Sequence, residues 1–250
     1  MSTSNAFGQL SRAMQRWIWD QGWSELRDIQ EAAVEPILAR EDVIVSAATA
    51  SGKTEAAFLP ILTAVEPVAA TELAVLCISP LKALINDQEV RIRSMCERIG
   101  ADVTPWHGDI AASRKAKLRR TPAGVLLITP ESLEAMFVLR GSSVPGFFQH
   151  LRYVVVDELH AFIGNERGRQ LQSLMHRIEL ATGMRTPRIG LSATIGDLKL
   201  AADFLRPNEA ESVRLIASGA AYRPVQLQLR GYETELSGDP TAAAERGDPV

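Results

Sequence analysis

The chain has few cysteines, no excess of positive charge and no long apolar run. Its two cysteines, Cys77 and Cys96, lack metal-ligand spacing and form no disulfide framework, so we interpret them as buried, reduced thiols of a cytoplasmic protein. The formal net charge of -3 argues against a protein that holds nucleic acid by bulk positive charge, and any such contact must be local. No signal peptide is evident, and no apolar run approaches the ~20 residues of a membrane span, so we expect no contact with a membrane.

Short apolar runs alternate with longer segments of helical periodicity. This alternation predicts an α/β fold with a central, mainly parallel sheet flanked by helices. Strands are predicted at 42–47, 73–79, 101–106, 124–129, 151–158 and 187–193. Helices are predicted at about 27–39, 53–65, 81–99, 111–120, 131–140, 167–181 and 197–205. Ligands of such sheets bind beyond the carboxyl ends of the strands, which is where the unusual residues of this chain fall.

The chain divides into three segments by pattern. We predict an N-terminal lead-in over 1–21 and one α/β domain over 22–216. Residues 217–250 contain the stretch "TELSGDPTAAAERGDPV", which loses the apolar pattern. We interpret this segment as a linker, the start of a next segment or a disordered tail.

The stretch "VIVSAATASGKT" runs from an apolar strand into Gly-Lys-Thr and then into an apolar helix. A loop of this kind binds phosphate through backbone N–H groups and a helix N-terminus. Gly52 allows close backbone approach, Lys53 would meet the β and γ phosphates, and the Thr54 hydroxyl would bind Mg²⁺. The alternative is an ordinary helix start with a solvated lysine. The predicted nucleotide-binding residues of the loop are Ala48, Thr49, Ala50, Ser51, Gly52, Lys53 and Thr54.

Two acidic residues follow the strongly apolar strand in "YVVVDELH". A carboxylate at a neighbouring strand end is what a phosphate-binding site needs to reach the metal. We predict that Asp157 holds Mg²⁺ through water and that Glu158 orients or deprotonates the attacking water. Taken alone, the pair would favour a solvated strand exit or a helix cap; its occurrence after this apolar strand in the same chain as the phosphate loop favours the site.

The stretches "ATASGKTEAAFLP", "DELH" and "LSATIG", in this order, resemble the ATP-binding motifs of superfamily 2 helicases. The resemblance is strongest to the Lhr-type large helicases and their DEAD-box-like relatives, and it covers roughly residues 20–205. It implies a RecA-like P-loop fold, ATP and Mg²⁺ as cofactors, and ATP hydrolysis with Lys53, Asp157 and Glu158 as catalytic residues. Ala47 conforms to the family pattern, whereas Ala50 stands where glycine is more frequent.

The segment "GWSELRDIQ" resembles the Q motif of the same family. The resemblance implies that Gln30 reads the adenine edge and that Trp23 lies beside the adenine pocket. Leu26 and Arg27 depart from the DEAD-box pattern, which makes adenine selectivity less secure than ATP binding. A solvated helix residue is the alternative interpretation of Gln30.

Other segments resemble the family motifs that grip the phosphates of one nucleic-acid strand: "SPLKALINDQ", "WHGD" and "TPESLEAM". The nucleic-acid-binding residues implied are Pro80, Lys82, Gly108, Thr129 and Glu131. Phosphate contacts position a protein without reading bases, so the binding would be independent of sequence. In "LSATIG", the hydroxyls of Ser192 and Thr194 would couple the acidic motif to the nucleic-acid side, with His160 as a further member of that network.

Two basic segments have open interpretations. "SRKAKLRR" (113–120) fits a nucleic-acid contact and a solvated helix face equally well. "GNERGRQ" (164–170) carries Arg167 and Arg169, which would touch nucleic acid or a neighbouring domain.

After "LSATIG" the sequence contains too few residues for the second RecA-like domain that superfamily 2 motors close around ATP. We therefore interpret the chain as the nucleotide-binding half of an ATP-dependent helicase or translocase that engages single-stranded or partly duplex DNA or RNA. A second RecA-like domain in the same longer chain or in a partner would complete it, and alone it would hydrolyse ATP weakly. The alternatives are an ATP-gated nucleic-acid clamp or remodelling module without strand separation, and a small-molecule phosphotransferase.

Overall fold

A seven-stranded sheet forms the centre of the computed structural model, which describes residues 5–48, 51–193 and 197–218. Every paired strand is parallel to its neighbours, in the order β3-β4-β2-β5-β6-β1-β7. The α/β fold class predicted from the sequence is therefore confirmed. The strands are β1 (Val43–Ser46), β2 (Leu73–Ile78), β3 (Val103–Trp106), β4 (Gly124–Ile128), β5 (Tyr153–Val156), β6 (Arg188–Ser192) and β7 (Arg214–Ala217).

Helices cover both faces of the sheet. Val43 and Val45 of β1 pack into the core on one face, whereas Ile44 packs into the core on the other, because successive side chains of a strand point to opposite sides. The helices of the described residues are α1 (Asn5–Gln9), α2 (Arg12–Asp20), α3 (Asp28–Leu38), α4 (Lys53–Val65), α5 (Lys82–Cys96), α6 (Ala112–Arg120), α7 (Pro130–Arg140), α8 (Val144–Phe148), α9 (Glu166–Thr182) and α10 (Leu198–Leu205). None of them is long and apolar enough to cross a membrane.

Three helices were not predicted from the sequence. They are α1, α2 and the short α8. In α2, Met14, Trp17 and Ile18 are buried in the core and occupy one helical face at spacings of three and four residues. The segment interpreted as a lead-in therefore contributes apolar side chains to the same core as the sheet.

Both cysteines are buried and free, as predicted. Cys77 lies in β2 and Cys96 is the last residue of α5. Burial raises the pKa of the Cys96 thiol to about 12, with a smaller opposing effect from Arg93. Both side chains therefore behave as small apolar groups of the core.

A buried ionic network fixes the amino ends of β1 and β6. The Asp42 carboxylate accepts a hydrogen bond from the backbone N–H of Arg188 at 2.7 Å and from Arg206 Nε at 2.8 Å. Glu179 of α9 pairs with the guanidinium groups of the same two arginines, at 2.7 and 2.8 Å. Burial disfavours the charge of Asp42, but the hydrogen bond and charge of Arg206 outweigh it and hold the pKa of Asp42 below its ordinary value. The network holds α9 and the chain after α10 against the sheet.

Candidate active site and strand-binding face

The predicted phosphate and metal residues meet at the carboxyl edge of the sheet. Strands β5, β6 and β1 are neighbours, so the segments that follow them converge. A cavity of about 190 Å³ lies there. Its lining includes Ser51, Gly52, Lys53, Thr54, Gln88, Asp157 and Glu158. The structure thus brings together the loop after β1 and the acidic pair after β5, while Thr49 and Ala50 lie outside the described residues.

Gly52 has a backbone conformation that other residues rarely adopt. Its φ is +88°, in the left-handed region, and it immediately precedes the first residue of α4. A Cβ at this position would lie 2.5 Å from Gln30 Nε2, which itself donates a hydrogen bond to the Gly52 carbonyl at 3.4 Å. The backbone conformation therefore favours glycine here, whereas a Cβ would displace the amide group of Gln30. Residues of the first turn of α4 line the cavity.

Lys53 is held by its own loop. Its Nζ donates to the carbonyl oxygens of Ala47 at 2.7 Å and Ala48 at 3.0 Å. Burial lowers the pKa of Lys53, against the opposing charges of Glu158 and Asp157. The ammonium group therefore occupies carbonyl acceptors that it must leave in order to contact a bound phosphate.

Gln88 of α5 connects the two predicted metal ligands, and sequence reasoning missed it. Its Nε2 donates to Asp157 Oδ2 at 3.0 Å and lies 3.5 Å from Thr54 Oγ1. Ser79 also donates to Asp157 Oδ2, at 3.4 Å. The Gln88 Oε1 atom is buried and has no hydrogen-bond partner in the described residues. Nothing in the sequence of a helical glutamine indicates that it points at a carboxylate across the sheet edge.

Asp157 is a buried carboxylate, 5% exposed. Burial raises its pKa, the hydrogen bond from Gln88 lowers it, and the charge of Glu158 raises it; the net shift is upward. Oxygen ligands, one carboxylate and room for water suit Mg²⁺, which binds through one or two carboxylates and the phosphates of its nucleotide. The Asp157 carboxylate, the Thr54 hydroxyl and the unpartnered amide oxygen therefore fit this cation.

Glu158 lies in a left-handed turn, with φ of 48° and ψ of 48°. Successive side chains of an extended strand point in opposite directions, but this turn lets Asp157 and Glu158 line the same cavity. Glu158 Oε2 lies 3.3 Å from His160 Nδ1, which lies 3.1 Å from the Ser192 hydroxyl. A polar chain thus joins the acidic pair to the end of β6; Thr194, the other predicted coupling residue, lies outside the described residues.

Gln30 and Trp23 have contacts within the domain. Gln30 is 1% exposed, and its Oε1 accepts a hydrogen bond from the backbone N–H of Arg27, which caps α3. Trp23 packs edge-on against Trp17 of α2, with ring centroids 5.4 Å apart. Gln30 therefore contacts the phosphate loop directly, whereas the described contact of Trp23 is with α2.

The five predicted nucleic-acid residues follow β2, β3 and β4, which are adjacent in the sheet. Lys82 Nζ pairs with Asp109 Oδ2 at 3.1 Å, and a Cβ on Gly108 would lie 3.5 Å from the same nitrogen. The Thr129 hydroxyl caps α7 by accepting a hydrogen bond from the backbone N–H of Ser132. The side chains thus form one face beyond the carboxyl ends of these strands.

Arg167 links two loops of this face. Its guanidinium donates to the Pro80 carbonyl and pairs with the Glu131 carboxylate. Burial disfavours the charge of Glu131, but its bond to Arg167 holds the carboxyl pKa below the ordinary value. Arg167 therefore positions the loops after β2 and β4, whereas Arg169 is exposed.

Comparison with protein families gives a match to the DEAD/DEAH box helicase model over residues 27–201. The ATP-dependent helicase Lhr-Core of Methanothermobacter thermautotrophicus is 33% identical over 220 residues, which cover 79% of this chain and 25% of the relative. The Lhr helicase/uracil glycosylase of Escherichia coli is 34% identical over 202 residues, covering 70% of this chain and 13% of the relative. The chain thus spans a quarter or less of the length of these two relatives.

A solved structure with the same fold is that of Mycobacterium smegmatis helicase Lhr bound to ssDNA and AMP-PNP. It superposes with a TM-score of 0.75 at 29% identity, over 87% of this chain and 29% of that one. The RecA-like fold predicted from the sequence is therefore confirmed.

Proposed function

The chain belongs to the DEAD/DEAH box helicase family, and on this premise we propose that it is the nucleotide-binding half of an ATP-dependent nucleic-acid helicase or translocase. The observation that carries the proposal is the cavity lined jointly by the phosphate loop, Asp157 and Glu158. In this proposal the domain couples ATP binding and hydrolysis to engagement of one strand of DNA or RNA.

The phosphate loop would hold the nucleotide through backbone N–H groups and the N-terminus of α4. Residues 48–52 would contact the phosphates, and Lys53 would leave the Ala47 and Ala48 carbonyls to contact the β and γ oxygens. Thr54 and Asp157 would hold Mg²⁺, which neutralises charge on the phosphates. Gln30 and Trp23 would define the adenine side of the site.

Hydrolysis would rely on Glu158, which orients the attacking water and accepts its proton. The Glu158–His160–Ser192 chain then offers a route by which loss of the γ phosphate is transmitted to β6. Thr194 follows Ser192 by two residues and would extend this route.

The face beyond β2, β3 and β4 would bind one strand through its phosphates. Arg167 fixes two loops of this face. The residues that would contact the strand or shape the face are Pro80, Lys82, Gly108, Thr129 and Glu131. The Mycobacterium smegmatis helicase, whose structure was solved bound to ssDNA, supports binding of a single strand by this chain. Because phosphates carry no base information, we expect little sequence preference.

A second RecA-like domain would supply an arginine that stabilises charge on the transferred phosphoryl group, a contribution of roughly 10³ to 10⁵ in rate. We therefore propose that the cytoplasmic protein acts with such a domain and that this chain alone binds ATP but turns it over slowly.

Calorimetry of Mg·ATP binding tests the proposal. The chain and its Lys53→Ala variant are compared, with and without a single-stranded oligonucleotide over a salt series. We expect Lys53→Ala to lose ATP affinity, and oligonucleotide affinity to fall with a log-log slope of about -0.7 per phosphate contact. Lys199→Ala, an exposed lysine of α10, is the matched control and should bind ATP like the parent chain. Equal ATP affinity in all three proteins would rule out the phosphate-loop assignment.

A further inference from the structure

A second cavity, of about 530 Å³, lies between α6, α7 and α8. Three arginines line it: Arg119 and Arg120 from the end of α6, and Arg140 from the end of α7. Its floor is apolar and includes Met136, Val144 and Phe147. We refer to this cavity, with its three arginines and apolar floor, as the arginine cleft.

The arginine cleft is separate from the ATP site. Helices α6 and α7 begin after the carboxyl ends of β3 and β4, and the residues of these helices that line the cleft come from their later turns. The two cavities share no lining residue. The cleft therefore remains open to a ligand when nucleotide occupies the carboxyl edge.

The positive charge of the cleft is not compensated locally. Arg120 and Arg140 have no ion pair or side-chain hydrogen bond with any described residue, and no carboxylate lines the cleft. Arg114 and Lys117, on other faces of α6, are paired with Glu89 and Asp102. Basic residues at a helix end complement the helix dipole, but this does not explain why the arginines of two helices converge on an apolar floor.

A basic surface joins the arginine cleft to the strand-binding face. Lys115 and Arg119 lie over the ring of Trp106, with the cations 5.9 and 5.8 Å from the ring centroid. Trp106 ends β3, two residues before Gly108 of the strand-binding face, and it packs edge-on against Phe147 of the cleft floor. With a rise of ~1.5 Å per residue, α6 spans only about 13 Å between the two places.

We propose that the arginine cleft binds a second stretch of the same nucleic-acid strand, with the arginines on its phosphates and the apolar floor under its bases. This inference rests on the proposed function of the strand-binding face. Continuity with that face favours nucleic acid over an acidic peptide, because a strand held there by its phosphates extends along α6 into the cleft. Arginine and aromatic or apolar surface together suit single strands of any sequence.

Binding of two single-stranded oligonucleotides, of about 8 and about 20 nucleotides, tests the inference by fluorescence anisotropy over a salt series. The test variant is Arg120→Glu/Arg140→Glu, whose side chains are exposed. The matched control is Arg12→Glu/Arg16→Glu on α2, which changes the charge equally beside a cavity that contains Glu97. Lys82→Ala reports separately on the strand-binding face.

We expect the longer oligonucleotide to bind more tightly than the shorter one to the parent chain and to the α2 control. Arg120→Glu/Arg140→Glu should abolish this gain and make the salt slope shallower by about 1.4, for two phosphate contacts at ~0.7 each. Its affinity for the short oligonucleotide should be unchanged, whereas Lys82→Ala should weaken both.

Two results would overturn this inference without affecting the proposed function. In the first, Arg120→Glu/Arg140→Glu still binds the longer oligonucleotide more tightly than the shorter one. In the second, Arg120→Glu/Arg140→Glu loses binding of a polyglutamate peptide but keeps its affinity for the longer oligonucleotide. If neither oligonucleotide binds the parent chain, the inference fails together with the nucleic-acid part of the proposed function. Circular dichroism of each variant checks that the fold is retained.

Discussion

Gln88 donates a hydrogen bond to Asp157 across the mouth of the ATP site, at 3.0 Å. The same nitrogen lies 3.5 Å from the Thr54 hydroxyl, so one amide group spans both proposed metal ligands. Burial raises the pKa of Asp157 and the Gln88 bond opposes that rise. Asp157 must be ionised to hold the proposed cation, so we expect Gln88 to keep the proposed metal site competent at lower pH.

Gln88→Ala is predicted to move the pH at which Mg²⁺-dependent ATP affinity is half lost to a higher value. Without the amide donor, the pKa of the Asp157 carboxyl rises further. Calorimetric titrations with and without Mg²⁺ over a pH series measure the midpoint. Gln172→Ala, which removes a glutamine of α9 bonded to the Phe204 carbonyl, is the control and should leave the midpoint in place. An unchanged midpoint in Gln88→Ala would contradict the assigned role.

Asp157→Asn should stabilise the nucleotide-free protein at neutral pH, because asparagine carries no charge to bury. Because folding raises the pKa of Asp157, its ionisation costs no stability below the ordinary value of 3.8, and the full cost is present above the raised pKa. Between the two values stability falls as pH rises, and asparagine removes this dependence. Urea unfolding at several pH values measures the difference, which should vanish at acid pH; a destabilised variant at neutral pH would contradict the prediction.

Glu158→Gln should lower turnover by about 10² to 10⁴ while leaving ATP affinity nearly unchanged. The amide keeps the shape of the side chain but cannot accept a proton from water. Single-turnover phosphate release and calorimetry separate the two quantities, with the exposed Glu97→Gln as a control. If the variant keeps its nucleic-acid function while turnover is lost, the domain acts as an ATP-gated clamp and not as a motor.

Asp42→Asn should destabilise the fold by about 3–5 kcal/mol, because it removes the negative charge that pairs with the arginines of a buried network. The pKa of Asp42 is lowered by folding, so its contribution is present above its ordinary value of 3.8 and is lost as pH falls through the lowered value. Urea unfolding should show that the difference in free energy of unfolding between the parent chain and Asp42→Asn becomes smaller in acid. Asp102→Asn, at an exposed pair with Lys117, should change stability by less than about 1 kcal/mol.

The sheet could be predicted from the sequence because its strands are buried on both faces. Strand β2, for example, is buried at all six positions and reads as an unbroken apolar run bounded by polar residues. The N-terminal α2 was missed, although Met14, Trp17 and Ile18 have helical spacing, because the helix is only nine residues long and polar or charged residues interrupt its apolar pattern. The order of strands could not be predicted, since pairing between segments far apart in the chain leaves no local pattern.

Site residues could be predicted only where a characteristic residue type occurs in the segment that follows a predicted strand. Asp157 follows β5 directly, Lys53 and Thr54 follow β1 after the loop 47–52, and the structure places all three around one cavity. Gln88 lies in the second turn of α5, where side-chain direction depends on how the helix packs on the sheet. The link between Glu131 and Arg167, 36 residues apart, likewise depends on the packing of α7 against α9.

The left-handed turn at Glu158 has a consequence for engineering this domain. A residue with a side chain in that conformation lowers the free energy of unfolding by about 1 kcal/mol or more, a loss that glycine does not cause. A more heat-resistant domain is therefore within reach of one substitution, but only by giving up the second acid of the pair. Selection for thermostability alone would thus act against this carboxylate.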